Sequence, residues 1–92
     1  MQYLIIEAAQ DPTIKHENRY KSAQVGCWIK NQTEKNAFLI AKGWIEEQGW
    51  VALSLEDLHP VSVEYFKNNP EGRRYFEQAL IDDEVFVFYA HS

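Results

Sequence analysis

Gly49 constrains this chain more than any other residue. It stands inside residues 31–55, NQTEKNAFLIAKGWIEEQGWVALSL, where helical periodicity gives way to strand alternation with no linker between them. Ala37, Ile40, Ala41, Trp44 and Ile45 recur at the spacing of one helix face. Asn31 and Thr33 both suit an N-cap, because their side-chain oxygens accept the free N–H groups of a first turn. Asn31 and Glu34 also have the spacing of a capping box. Glycine reaches the left-handed backbone conformation that closes a helix, and with Gly49 there Ile45 and Trp50 meet across the helix end. A strand over residues 50–55 then begins at once, with Val51, Leu53 and Leu55 predicted on one face. Gly43, inside the helix, costs about 1 kcal/mol relative to alanine; the reading taken is that it permits close backbone packing.

Before this unit, residues 3–9 read as a strand, with Leu4, Ile6 and Ala8 facing one way and Tyr3, Ile5 and Glu7 the other. Residues 10–22 are polar, contain the Asp11-Pro12 turn signal and are long for a connection in a compact domain. His16, Arg19 and Tyr20 make this loop a candidate lid or recognition surface, and a solvated connector is the equal alternative. Residues 23–30 read as a second strand, with Val25, Cys27 and Ile29 on one face and Gly26 and Trp28 on the other. A glycine in mid-strand points to a bulge or to close approach by another group.

After the third strand, Ser62 suits the cap of a short helix over 63–68. Asn69-Pro70-Glu71 then carries a full start signal: cap residue, proline at the first helical position and an acid in the first turn. That second helix is predicted to run to about Ile81 and to bury Tyr75, Phe76, Ala79 and Leu80, with Asp82 and Asp83 opposing its dipole at the far end. Residues 84–91 form the last strand. Val85, Val87 and Tyr89 alternate with Phe86, Phe88 and Ala90, which predicts a central place in the sheet or a partner on the outer face.

The order ββαβαβ implies one α+β domain over residues 1–92. Because a strand–helix–strand crossover is normally parallel, the expected sheet is four-stranded and mixed. Helices lie on one face, in the style of ferredoxin-like folds. The uncovered face is assigned to Tyr3, Ile5, Trp28, Phe86 and Phe88, a candidate interaction surface of a size unusual on a monomer. A homodimer through that face is expected; the alternative is that the first loop folds across it.

Charge and motif content narrow the function. Nine Lys and Arg against fourteen Asp and Glu leave a net charge of −5, which provides no general field for nucleic acid or an anionic membrane. A single cysteine permits no internal disulfide, and no leader-like segment is apparent, so a cytoplasmic location is expected. His16, His59 and His91 have no short ligand spacing to one another or to Cys27, so neither a metal nor another cofactor is expected. Cys27, between Val25 and Ile29 on their face, reads as a small buried hydrophobe rather than a nucleophile. Glu7, Glu17 and Glu64 could act as acid or base, but carboxylates are common, the sequence does not fix their pairing, and no catalytic residue is assigned. Asn69-Pro70-Glu71-Gly72-Arg73-Arg74 offers a helix N-terminus and two arginines to a phosphate or carboxylate, with Glu71 opposing it.

Gly26-Cys27-Trp28-Ile29, then Ala37 and Ala41, Gln48-Gly49-Trp50, Tyr75-Phe76-Glu77-Gln78-Ala79-Leu80 and Val85-Phe86-Val87-Phe88 resemble a family of small uncharacterised bacterial α+β proteins. The resemblance covers most of the chain beyond the first loop. It implies a free-standing bacterial domain and carries no activity and no site residue. The functional expectation is a non-enzymatic, self-associating module that binds a protein partner, an acidic immunity-type protein being one form of it. The alternative is a small-molecule-binding or enzymatic dimeric ferredoxin-like domain with a pocket at the sheet face, an analogy of fold alone.

Overall fold

The computed structural model describes residues 1–13 and 21–91. The chain runs β1 (Gln2–Gln10), β2 (Ser22–Ile29), α1 (Glu34–Glu47), β3 (Trp50–Pro60), a 3-10 turn (Val63–Phe66), α2 (Pro70–Asp82) and β4 (Glu84–His91). The strands form one sheet in the order β3-β1-β2-β4. Every neighbouring pair is antiparallel. The sheet is therefore not mixed. β2 and β3, joined through α1, do run in the same direction, but β1 lies between them and pairs with both.

Register sorts the side chains into two faces. On the first, Leu4 opposes Cys27 and Leu58, Ile6 opposes Val25 and Leu55, and Ala8 opposes Ala23 and Ala52. Phe86 and Phe88 continue the first two rows across β4. Ala37, Ala41 and Ile45 of α1 bury themselves against this face, and Phe38, Ile40 and Trp44 pack around them. The helical face read from the sequence is the one that packs. On the second face, Tyr3 sits between Trp28 and His59, Ile5 between Gly26 and Asp57, and Glu7 between Gln24 and Ser54. Phe66, Phe76 and Ala79 from the 3-10 turn and α2 join Trp28 there, with Tyr3, Tyr75, Val85 and Val87 around them.

Helices thus cover both faces, not one. This arrangement and the ββαβαβ order both depart from the ferredoxin-like pattern of β-α-β-β-α-β. β4 is an edge strand rather than a central one. It is apolar on both sides because each side meets its own cluster: Phe86 stacks on Trp44 at 4.5 Å and Phe88 meets Trp50 at 5.1 Å, whereas Val85 and Val87 pack on the α2 side.

Local signals explain most element ends. Thr33, rather than Asn31, caps α1, its Oγ1 accepting from the Asn36 N–H at 3.2 Å. Gly49 has φ 83° and donates to the Glu46 carbonyl at 3.0 Å, so the stop is of the expected kind. Gly43 is exposed and nothing lies within 4 Å of where its side chain would project, which rules out close packing there. Leu80 is likewise exposed rather than buried.

β3 departs furthest from simple alternation. Its pairing with β1 is interrupted between Ile5 and Ile6 and again between Glu7 and Ala8, which leaves Glu56 and Leu53 as extra residues. A bulge adds one residue and shifts every later side chain to the other face. Ala52, Leu55 and Leu58 consequently share the first face, Val51 turns to the second, and Leu53 is 61% exposed. The shared face predicted for Val51, Leu53 and Leu55 is lost to these two bulges.

α2 ends against its dipole, and the structure supplies the remedy. Lys30 Nζ donates to the Leu80 carbonyl at 2.9 Å and lies 3.5 Å from the Asp83 carboxylate. The Lys30 N–H also donates to the Asp83 carbonyl at 2.8 Å. One residue just past β2 thus places a cation at the C-terminal end of α2 and fixes it to the sheet.

Candidate functional site

The second face is only partly covered. Where α2 starts, a pocket of about 330 Å³ opens between helix and sheet, lined by Tyr3, Ile5, Gln24, Gly26, Trp28, Asn69, Glu71, Gly72 and Tyr89. Gly26 lies near its middle. A methyl group on Gly26 would lie 3.1 Å from Trp28 Cζ3 and 3.3 Å from Tyr89 Cε2. The glycine marks close approach by two rings and not a bulge, since its pairing with Ile5 and Val87 is regular.

Aromatic rings build the wall on the Tyr3 side. Tyr3 packs on Trp28 at 5.0 Å and meets Phe66 edge-on at 5.3 Å. Trp28, 1% exposed, also lies 5.1 Å from Tyr75. The opposite wall is the first turn of α2. Asn69 caps that helix, its Oδ1 accepting from the Gly72 N–H at 3.0 Å. The Glu71 carboxylate accepts from the Tyr75 hydroxyl at 3.2 Å. Burial, and then the negative charge of Glu71, push the Tyr89 hydroxyl up to about 12, and a hydrogen bond to Glu71 adds to the effect. Burial, followed by the charges of Tyr65 and Asp57, raises Tyr3 in the same direction. Both tyrosines of the pocket are therefore neutral at neutral pH.

The residues predicted for an interaction surface are divided by the sheet. Tyr3, Ile5 and Trp28 share the second face and line the pocket, whereas Phe86 and Phe88 lie on the first face against α1. Single-residue alternation along β4 was read with the wrong phase relative to β1 and β2, a phase that only the register between strands sets. His16, Arg19 and Tyr20, with Glu17, lie outside the described residues. Gln24, Asn69, Gly72 and Tyr89 were not singled out individually as pocket residues. Their signal was partial, in the start sequence at Asn69 and the mid-strand Gly26.

Among the described residues the other candidate groups do not assemble into a reactive centre. Cys27 is buried on the first face and burial pushes its thiol up to about 12, so it is a thiol rather than a thiolate at neutral pH. His59 Nδ1 lies 3.0 Å from the Asp57 carboxylate and its ring packs against Tyr3 and Tyr65. Asp57 orients the imidazole there, but Cys27 is on the opposite side of the sheet. Among the described residues no group of three or more His, Cys, Asp or Glu side chains is placed to hold a metal ion. No helix among them is long and apolar enough to cross a membrane.

No family model, curated protein or solved structure matches this chain, so these comparisons add no family to the resemblance read from its motifs.

Proposed function

We propose that this chain is a small-molecule-binding domain whose ligand sits between the second face of the sheet and the first turn of α2. The observation that carries this reading is the pocket itself: about 330 Å³, with aromatic walls, a glycine floor and the polar groups of Gln24, Asn69 and Glu71. Ligand sites are typically concave, of a few hundred Å³, and largely apolar with a few placed polar groups. An uninterrupted row of large side chains along the second face would leave no such space. The reading is of binding rather than catalysis, because the described lining residues bring no nucleophile and base together.

The test is a fragment screen followed by amide chemical shifts. Binders should move Gln24, Gly26, Gly72 and Tyr89 together, and Gly26→Val should abolish the effect while the first-face amides keep their positions. A screen in which no fragment moves this set would sink the proposal.

Self-association is a second reading, favoured by a different observation. Val51, Leu53 and Leu55 are exposed on β3, an edge strand of the sheet. Two-fold pairing of this edge with a second copy would cover the strand and the exposed Leu53 on it, the commonest form of symmetric contact. It replaces contact through an open sheet face, since α1 and α2 cover both faces. Sedimentation at high micromolar concentration should give a dimer that Leu53→Lys dissociates; a monomer for the parent chain counts against it.

A further inference from the structure

We infer that the pocket takes a small organic cation, an alkylammonium or guanidinium compound, seated beside Tyr3 and Tyr89 with its charge toward the Glu71 carboxylate. The inference rests on the pocket being a ligand site and adds the class of ligand.

Charge provides the first argument. Among the described lining residues Glu71 is the one carboxylic acid, and none is a lysine or arginine. The two arginines nearest in sequence do not line the pocket and each has a partner of its own. Arg73 Nε donates to Glu77 at 3.0 Å, and the Arg74 guanidinium lies 5.7 Å from the Tyr75 ring centre. An anion entering here would meet a carboxylate with no cation among the described lining residues to offset it.

The helix end offers an anion little in return. Pro70 has no N–H. The Gly72 N–H is already bonded to the Asn69 side chain, and the Arg73 N–H to the Asn69 carbonyl at 3.0 Å. The N-terminus of α2 is therefore capped from within, and Glu71 opposes its dipole charge with a full negative charge.

Aromatic surface provides the second argument. Tyr3 and Tyr89 line the pocket, with the buried Trp28 packed against Tyr3. A ring face attracts a cation through its quadrupole, and the attraction grows as water is excluded. The Tyr75 hydroxyl holds the Glu71 carboxylate at 3.2 Å, which fixes its direction without supplying positive charge. A carboxylate has about four lone-pair sites and retains acceptors after such bonds. Ring surface and a held carboxylate in one pocket match the two needs of a soft organic cation, apolar contact for its carbon and an anion for its charge.

The experiment compares ligands of equal shape and different charge. Choline and its neutral carbon analogue 3,3-dimethylbutanol form one pair; ethylguanidinium and ethylurea form the other. Each is titrated while the amides of Gly26, Gly72 and Tyr89 are followed. The cations should saturate these shifts and bind about two- to fivefold or more tightly than their neutral partners. Glu71→Gln, at an exposed position, should leave the spectrum folded and remove that preference; Tyr89→Phe, which keeps the ring, should retain most of it. Equal affinity within each pair, or tighter binding of acetate or phosphate than of the cations, would overturn the ligand class while leaving the pocket a binding site. No response from these amides to any probe, together with a fragment screen that also leaves them unmoved, would remove the binding site itself.

Discussion

The two faces of the sheet meet their helices in different ways. On the first, Leu4, Ile6, Val25 and Ile29 are flanked by Ala8 and Ala23, and α1 presents Ala37 and Ala41 to them. Small residues on both sides let the helix settle closely, and aliphatic side chains with the rings of Phe38, Trp44, Trp50, Phe86 and Phe88 fill the layer. On the second face the rows contain Tyr3, Trp28 and Gly26, and α2 buries Gly72, Phe76 and Ala79. Large rings hold the helix off at one end, and the glycine lowers the sheet surface beside them. The first arrangement makes a core; the second makes a core with an opening. One sheet thus carries a filled layer on one side and a layer with an opening on the other, the opening lying where large rings stand beside a glycine.

The sharpest way to break this division is to remove volume from the closed face. Ile6→Ala should cost about 2–5 kcal/mol in urea denaturation, as expected for a filled core site. In whatever fraction stays folded, the amide shifts at Gly26 and Gly72 should persist. Adding volume to the open face should cost less. Gly26→Ala forces Trp28 or Tyr89 to give way by a few tenths of an ångström, and a loss of about 1–3 kcal/mol with weakened ligand binding is expected. An unchanged stability would show that the rings have room to move.

The cover of the second face is also held at its far end. Lys30→Met removes the cation from the C-terminus of α2 and should cost about 1 kcal/mol, with amide exchange accelerating at Leu80 and Ile81 before it does in α1. The exposed side of α1 should respond in the opposite sense. Gly43→Ala adds a methyl in open space and should stabilise the chain by about 0.5–1 kcal/mol. A loss there would mean that the exposed side of α1 has a contact of its own.

Tyr89 provides a prediction for pH. Its folded value of about 12 exceeds the ordinary 10.0, so the folded state holds this proton more tightly than the unfolded chain. The resulting stability is present in full below pH 10 and is lost as pH rises through about 12. Ultraviolet titration should show late-ionising tyrosine, and Glu71→Gln should bring part of it back toward the ordinary value. A titration identical in parent and variant would detach Tyr89 from Glu71.

Much of the fold was legible in local pattern. Leu4, Ile6 and Ala8, then Val25, Cys27 and Ile29, read as core because alternation is a property of the strand itself. The face of α1, the stop at Gly49 and the start at Asn69 follow from helical periodicity, left-handed backbone and capping chemistry, each decided within a few residues. The pocket was half legible: Gly26 announced close approach and Asn69-Pro70-Glu71 announced a helix start, but nothing local joined them. Tertiary structure alone decided three things. It interposed β1 between β2 and β3, which made the sheet antiparallel throughout. It placed α1 and α2 on opposite faces, which moved Phe86 and Phe88 away from Tyr3 and Trp28. It inserted two bulges in β3, which reassigned Val51, Leu53 and Leu55. Each depends on which strand lies beside which and in what register. Those are relations between distant residues, and alternation along a single strand leaves the phase between strands free.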